Sequence, residues 1–173
     1  GIEALFNHLF DLGHRRISDL DGGLLGDIGE RRQAFLRCAS NFGLEVPTDY
    51  LQKADDGLAG GYQAMGRLLS LPDRPTAVIA ADDIIAIGAV KAALEDGLRV
   101  PEDISITGFD DLELAQFIHP SLTTVRQPVG VLVRQSLDAL LMLIRHQSLP
   151  EAQSILRIPP TLIVRSSTAA PAE

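Results

Sequence analysis

With 173 residues, 46% of them hydrophobic, the chain can bury one core and is too apolar to remain unfolded. Its 15 basic and 23 acidic residues leave a net charge of −8, which repels phosphate backbones and argues against nucleic-acid binding by this chain itself. A single cysteine, Cys38, excludes an internal disulfide and a cysteine metal cluster, and no run approaches the ~18 apolar residues of a membrane-spanning helix.

Ile2, Leu5, Phe6, Leu9 and Phe10 fall at the i, i+3, i+4 spacing of an amphipathic helix, which Gly13 should stop. The chain thus opens inside a helix, with no capping residue and no basic-then-apolar leader before it, and we expect a piece of a longer protein. RISDLDGG reads as a short, weak strand and turn. Phe35, Leu36, Ala39 and Phe42 give a second helical stripe ending at Gly43, and DYLQKA a second weak strand. A third helix follows on Leu58, Tyr62, Met65, Leu68 and Leu69, broken by LPDRP. TAVIAA is a strong strand, 84–95 a helix stopped at Gly97, ISITGF another strong strand, and about 112–117 a short helix. LTTVRQP is extended. A helix over 128–147 then carries Val129, Leu132, Leu137, Leu140, Leu141 and Ile144, SILRIPPTLIV supplies one or two strands, and the tail STAAPAE, essentially 169–173, is expected to be disordered.

Strand and helix alternate at least four times, and the two best strands are apolar throughout rather than every second residue. The fold class is therefore α/β: an open parallel sheet with helices on both faces. Ligands of such sheets bind beyond the carboxyl ends of the strands, where both aspartate pairs, Asp82–Asp83 and Asp110–Asp111, fall. In each pair we expect the first carboxylate to face the crevice and the second to start the next helix as a cap.

LFDLGHRRI, AADDIIAIGAVKAALEDGLRVPEDISITGFDD and HPSLTTVRQP, in that order and spacing, resemble the effector-binding domain of LacI/GalR bacterial transcription regulators from about residue 1 to 168. The resemblance implies a periplasmic-binding-protein-like (type I) fold, with 1–124 plus 158–168 as the C-terminal subdomain and 125–157 as an excursion into an N-terminal subdomain that lies elsewhere. It further implies a cytoplasmic homodimer that touches DNA only through an N-terminal helix-turn-helix absent here, and no membrane. By the same resemblance Arg31, Asp82, Asp110 and Gln127 contact the effector, and Asp56 falls near a position that is often aromatic and stacks on the ligand. Ser18 and Asp19 depart from the family, which usually has an apolar strand there.

Carboxylates accept hydrogen bonds from paired hydroxyls and a guanidinium donates in a fixed fork, so Arg31, Asp82 and Asp110 together would suit a neutral, sugar-like effector, whereas an acidic cluster disfavours an anionic one. One alternative is an extracytoplasmic sugar receptor of the same fold. Another is a metal-dependent acidic domain in which the four carboxylates hold Mg²⁺. The receiver-like version of that site needs a nearby lysine, and of the only two, Lys53 and Lys91, the latter sits two turns down a helix. No Gly-x-Ser-x-Gly elbow and no phosphate-binding glycine loop occur, and we expect no catalysis, no cofactor and no resident metal. His14 is read as a surface or supporting residue and Cys38 as a small hydrophobe.

Overall fold

The structure, a computed structural model, describes residues 1–22, 26–55, 57–145 and 157–172. Its elements run α1 (Ile2–Asp11), β1 (Ile17–Asp21), α2 (Gly26–Asn41), a 3₁₀ turn (Thr48–Tyr50), β2 (Leu51–Lys53), α3 (Gly57–Leu69), β3 (Ala77–Ala80) and α4 (Asp83–Glu95). β4 (Ser105–Thr107), α5 (Glu113–Phe117), β5 (Thr124–Arg126), α6 (Val129–Ile144) and β6 (Thr161–Ile163) complete the chain. β2, β1, β3 and β4 form, in that spatial order, an entirely parallel sheet, while β5 and β6 pair antiparallel. The α/β class expected from the alternation of strands and helices is what is found.

Every residue of β1, β3 and β4 is buried because both faces of the sheet are covered. Side chains alternate across a strand, so Val78 and Ala80 join Leu20, Met65, Leu68, Ile85 and Ile106 in a core under α3 and α4. Ala77 and Ile79 join Leu5, Phe6, Leu9, Ile17 and Phe35 in a second core under α1 and α2. Each large apolar side chain fully buried there stabilises by roughly 1.5–3 kcal/mol. α3 and α4 approach so closely that a Cβ on Gly61 would lie 2.0 Å from the Ile85 carbonyl oxygen, and one on Gly88 would lie 2.1 Å from that of Leu58.

Three expectations need correction. The stretch read as a weak strand, β1, lies inside the sheet between β2 and β3, and all five of its residues are buried. Its polar residues disguise it: Asp19 and Asp21 point to the α2 side, where Arg32 Nε donates to Asp19 Oδ2 at 2.8 Å and Arg32 Nη1 lies 3.1 Å from Asp21 Oδ2. Ser18, on the other face, donates to the Ala77 carbonyl. Second, the tail expected to be disordered is docked as far as it is described: the Ala169 N–H donates to Ser105 Oγ, and the Ala169 carbonyl lies 2.8 Å from His14 Nε2. His14 is accordingly buried, 1% exposed, with its Nδ1 2.9 Å from Thr76 Oγ1. Third, α4 begins at Asp83, not after the aspartate pair.

α6 follows the expected stripe, but none of its residues is buried, and Val129, Leu137, Leu140 and Ile144 are each more than half exposed. β5, just before α6, pairs antiparallel with β6 near the end of the chain. Residues 146–156, which include the end of the expected helix and the SIL of SILRIPP, lie outside the described residues.

Burial pushes the Asp19 carboxyl up to about 6, the Arg32 hydrogen bond pulling the other way and Asp21 adding like-charge repulsion. Removing Arg32 leaves two carboxylates buried without their cation. Arg32→Ala should therefore destabilise the fold by about 3–5 kcal/mol at pH 7. Without the guanidinium the folded-state Asp19 carboxyl titrates still higher, so the deficit should shrink as pH falls toward 4 and that carboxyl becomes neutral. Urea unfolding followed by circular dichroism at several pH values measures both effects, and a deficit independent of pH would contradict this account of the ion pair.

Candidate functional site

A cleft of about 960 Å³ lies beside the carboxyl end of β4, lined among others by Glu3, Arg31, Arg37, Phe109, Gln127 and Arg157. One wall is α2 with the start of α1, and the other includes Phe109 after β4 and Gln127 after β5. Arg31 leaves α2 toward that turn: its guanidinium lies 3.9 Å above the Phe109 ring centroid and donates to the Ala81 carbonyl. Its Nη2 stands 3.9 Å from Asp110 Oδ1. Gln127 Nε2 donates to the same Asp110 oxygen at 2.6 Å. Arg31, Asp110 and Gln127, three of the residues singled out in the sequence, are thus assembled on one carboxylate.

The two aspartate pairs divide their work differently from expectation. In the first, Asp82 starts the helix: Oδ1 accepts from the Ile85 N–H at 2.7 Å, the N-cap bond. Asp83 is fully buried and faces inward, accepting from the Leu112 N–H at 2.7 Å and from the Thr124 hydroxyl at 2.5 Å. The order of cap and inward-facing residue is the reverse of the prediction, because an N-cap residue must precede the first helical turn. In the second pair neither residue caps: α5 starts at Glu113, with Leu112 before it. Asp110 stands behind the cleft's Gln127 and Arg31, its side chain 31% exposed. Asp111 is pinned by Arg165 and Arg126, each at 2.5 Å. Asp56 lies outside the described residues.

Asp110 and Asp111 both hold positive φ, 107° and 53°. Aspartate visits this region more readily than most residues, yet each such conformation costs of order 1–3 kcal/mol and persists only where surroundings enforce it. Here the Asp110 N–H donates to the Val125 carbonyl, and Asp111 is held by its two arginines. Burial alone would push the Asp111 carboxyl up, but the Arg165 and Arg126 bonds outweigh it and hold it below the usual carboxylate range. Asp83 goes the opposite way. Burial pushes it up to about 6, against the bonds from Thr124 and Leu112, with Asp110 and Asp111 adding repulsion.

The sequence reading missed Phe109, Arg126 and Arg165. Phe109 belonged to the strand pattern of ISITGF, and only the fold turns its ring under Arg31. Arg32 was missed as well, although Asp-x-Asp in a strand puts both carboxylates on one face and calls for a cation there. His14 Nε2 lies 3.1 Å from Ser105 Oγ, but both are buried and both bond the Ala169 peptide, so the pair anchors the C-terminal segment. Among the described residues no three His, Cys, Asp or Glu side chains are grouped to hold a metal ion, and no helix is long and apolar enough to cross a membrane.

A family model described as periplasmic binding protein-like domain matches residues 6–168. The chain is 36% identical over 161 residues to the HTH-type transcriptional repressor PurR of Mannheimia succiniciproducens, covering 92% of this chain and 48% of that one. It spans about half the length of the curated relatives it matches. Among solved structures, the dimeric Lac repressor with an 11-residue C-terminal deletion superposes with a TM-score of 0.91 at 31% identity, covering 99% of this chain and 62% of that one. A sugar-binding transcriptional regulator of the LacI family from Escherichia coli, complexed with phosphate, superposes with a TM-score of 0.87 at 27% identity, covering 98% and 60%.

The Asp111 anchor has a pH signature. Its depressed carboxyl contributes stability that is present above the ordinary Asp range and lost as pH falls through the lower folded-state value. Asp111→Asn keeps a side chain that tolerates positive φ and removes the charge. It should cost about 1–2 kcal/mol at pH 7, with the gap to the native protein closing below about pH 4. Urea midpoints across that range check it, and a gap of constant size would assign the loss to packing instead.

Proposed function

The chain belongs to the periplasmic-binding-protein-like domain family, as the effector-binding domain of a LacI/GalR-type regulator, and on that premise we propose that it senses a small polyhydroxylated molecule in the cleft between α2 and the turn after β4. Asp110 supports this reading most directly, standing at the carboxyl end of a parallel sheet with Gln127 Nε2 at 2.6 Å and Arg31 Nη2 at 3.9 Å. A carboxylate, an amide and a guanidinium in one place offer acceptors and fixed donors to vicinal hydroxyls. Asp82 contributes the carboxylate oxygen not used in its cap. Residues 1–124 and 158–168 form the C-terminal subdomain in this proposal, and 125–157 the excursion to an N-terminal subdomain. A helix-turn-helix outside this chain carries DNA binding. The regulator works in the cytoplasm as a homodimer, in which effector-driven closure of the cleft reorients the DNA-binding heads, and it catalyses nothing.

A second reading concerns charge. The acidic cluster invoked against an anionic effector is largely committed: Asp83 is buried, Asp111 is paired with two arginines, and Asp19 and Asp21 are paired with Arg32. Arg31, Arg32, Arg37 and Arg157 outnumber Glu3 and Glu30 in the lining of the cleft, and the Escherichia coli relative was solved with phosphate. A sugar that carries a phosphate is thus the competing effector class.

Titration calorimetry with neutral mono- and disaccharides, their phosphorylated counterparts and free nucleobases distinguishes these classes. Arg31→Ala and Asp110→Ala should each remove a charged hydrogen bond of roughly 1.5–3 kcal/mol, about a tenfold or greater loss of affinity, with an unchanged circular dichroism spectrum. Unchanged affinity in both variants would take these residues out of the site, and preference for nucleobases would overturn the polyhydroxylated class.

A further inference from the structure

We infer that Asp83 is the positioning residue of the cleft: without touching the ligand, it clamps the turn at 108–112 so that Asp110 presents its carboxylate to Gln127 and Arg31. The inference rests on the effector reading only for the cleft's purpose; the clamp itself stands on geometry.

Asp83 grips the turn on both sides of its two positive-φ residues. Its backbone N–H donates to the Phe109 carbonyl at 2.9 Å, just before Asp110. Its Oδ2 accepts from the Leu112 N–H at 2.7 Å, just after Asp111. Its Oδ1 accepts from the Thr124 hydroxyl at 2.5 Å, and Thr124 Oγ1 lies 3.4 Å from the Asp111 nitrogen, so the third contact closes on the turn through β5. The carboxylate and the turn are packed without spare room: a Cβ on Gly108 would lie 2.3 Å from Asp83 Oδ1. Asp110 follows Gly108 by two residues and holds φ 107°. Nothing in its own side-chain bonds to Gln127 enforces that backbone. The bonds that do are its own N–H to Val125 and the grip of Asp83 on either flank.

Helix capping does not account for this residue. Asp82 already caps α4, and Asp83 spends both oxygens on partners 29 and 41 residues away in sequence. A buried carboxylate with no structural debt to its own helix costs stability, which is understandable where it holds a strained functional turn. The charged groups that face it are Asp110 and Asp111 of the turn, the latter neutralised by Arg126 of β5 and by Arg165.

The test needs no ligand. In NMR spectra of the 173-residue protein, the Gln127 side-chain amide reports its bond to Asp110, and the Leu112 amide reports its bond to Asp83. Asp83→Ala should raise Leu112 amide exchange on the order of tenfold or more, as local opening does, and move the Gln127 side-chain signals to their free positions while α4 amides stay protected. Gly108→Ala, which keeps the carboxylate but displaces it, should do the same. In the native protein, acidification across the raised range of the Asp83 carboxyl should move the Gln127 side-chain and Leu112 amide signals together, and Asp83→Asn, which keeps the shape, should lose that shared response. This titration decides the matter should Asp83→Ala fail to fold. If the Leu112 amide responds while Gln127 does not, Asp83 merely braces the core and the inference falls. Since no ligand enters the measurement, its failure leaves the effector reading intact, and failure of effector binding leaves the clamp standing.

Discussion

The pairing of one guanidinium with two carboxylates inside the sheet underlies the rest of the molecule. β1 lies between β2 and β3, and its alternation points Asp19 and Asp21 at the same helix. Buried carboxylates need a cation, and Arg32 of α2 is held between them while its Nη2 also donates to the Gln52 carbonyl of β2. That arrangement fixes the rotation of α2 about its own axis. Arg31, one residue earlier and about 100° around the helix, is thereby aimed over Phe109 at the ends of the strands. A core requirement and a cleft residue are neighbours in sequence because one helix serves both.

The opposite wall is set by a different economy of charge. Six aspartates stand at or near the strand ends, yet the cleft is not strongly acidic. Asp19 and Asp21 face Arg32, Asp111 faces Arg126 and Arg165, Asp82 closes a helix and Asp83 is enclosed. Asp110 remains partly exposed, tied to Gln127. The chain's net charge of −8 therefore says little about the field a ligand meets. What it meets depends on which carboxylates are already neutralised by neighbours brought from far along the chain.

Much of the fold was legible. α1 and α3 carry apolar side chains at helical spacing, and β3 is a continuous apolar run between breakers, so their existence and type follow from local pattern alone. β1 escaped that logic because its polar residues are satisfied by partners on α2 and β3 that no local pattern reveals. The C-terminal segment escaped it for a related reason: STAAPAE has the composition of a loose tail, and its order comes from His14 and Ser105, over 60 residues away.

By itself the sequence determined the class of fold and the parallel sheet, and it pointed to the strand ends as the place for a site, because strand termini and aspartate pairs are local facts. It also brought Arg31, Asp110 and Gln127 to notice through family resemblance. Only the tertiary structure decided which aspartate of each pair does what. Capping depends on which residue precedes the first turn of a helix, whereas enclosure depends on which distant N–H and hydroxyl groups arrive beside a carboxylate. Those arrivals, Leu112 and Thr124 at Asp83 and Arg126 and Arg165 at Asp111, are consequences of strand order and of the return of the chain beside β5. No spacing within a single segment encodes them.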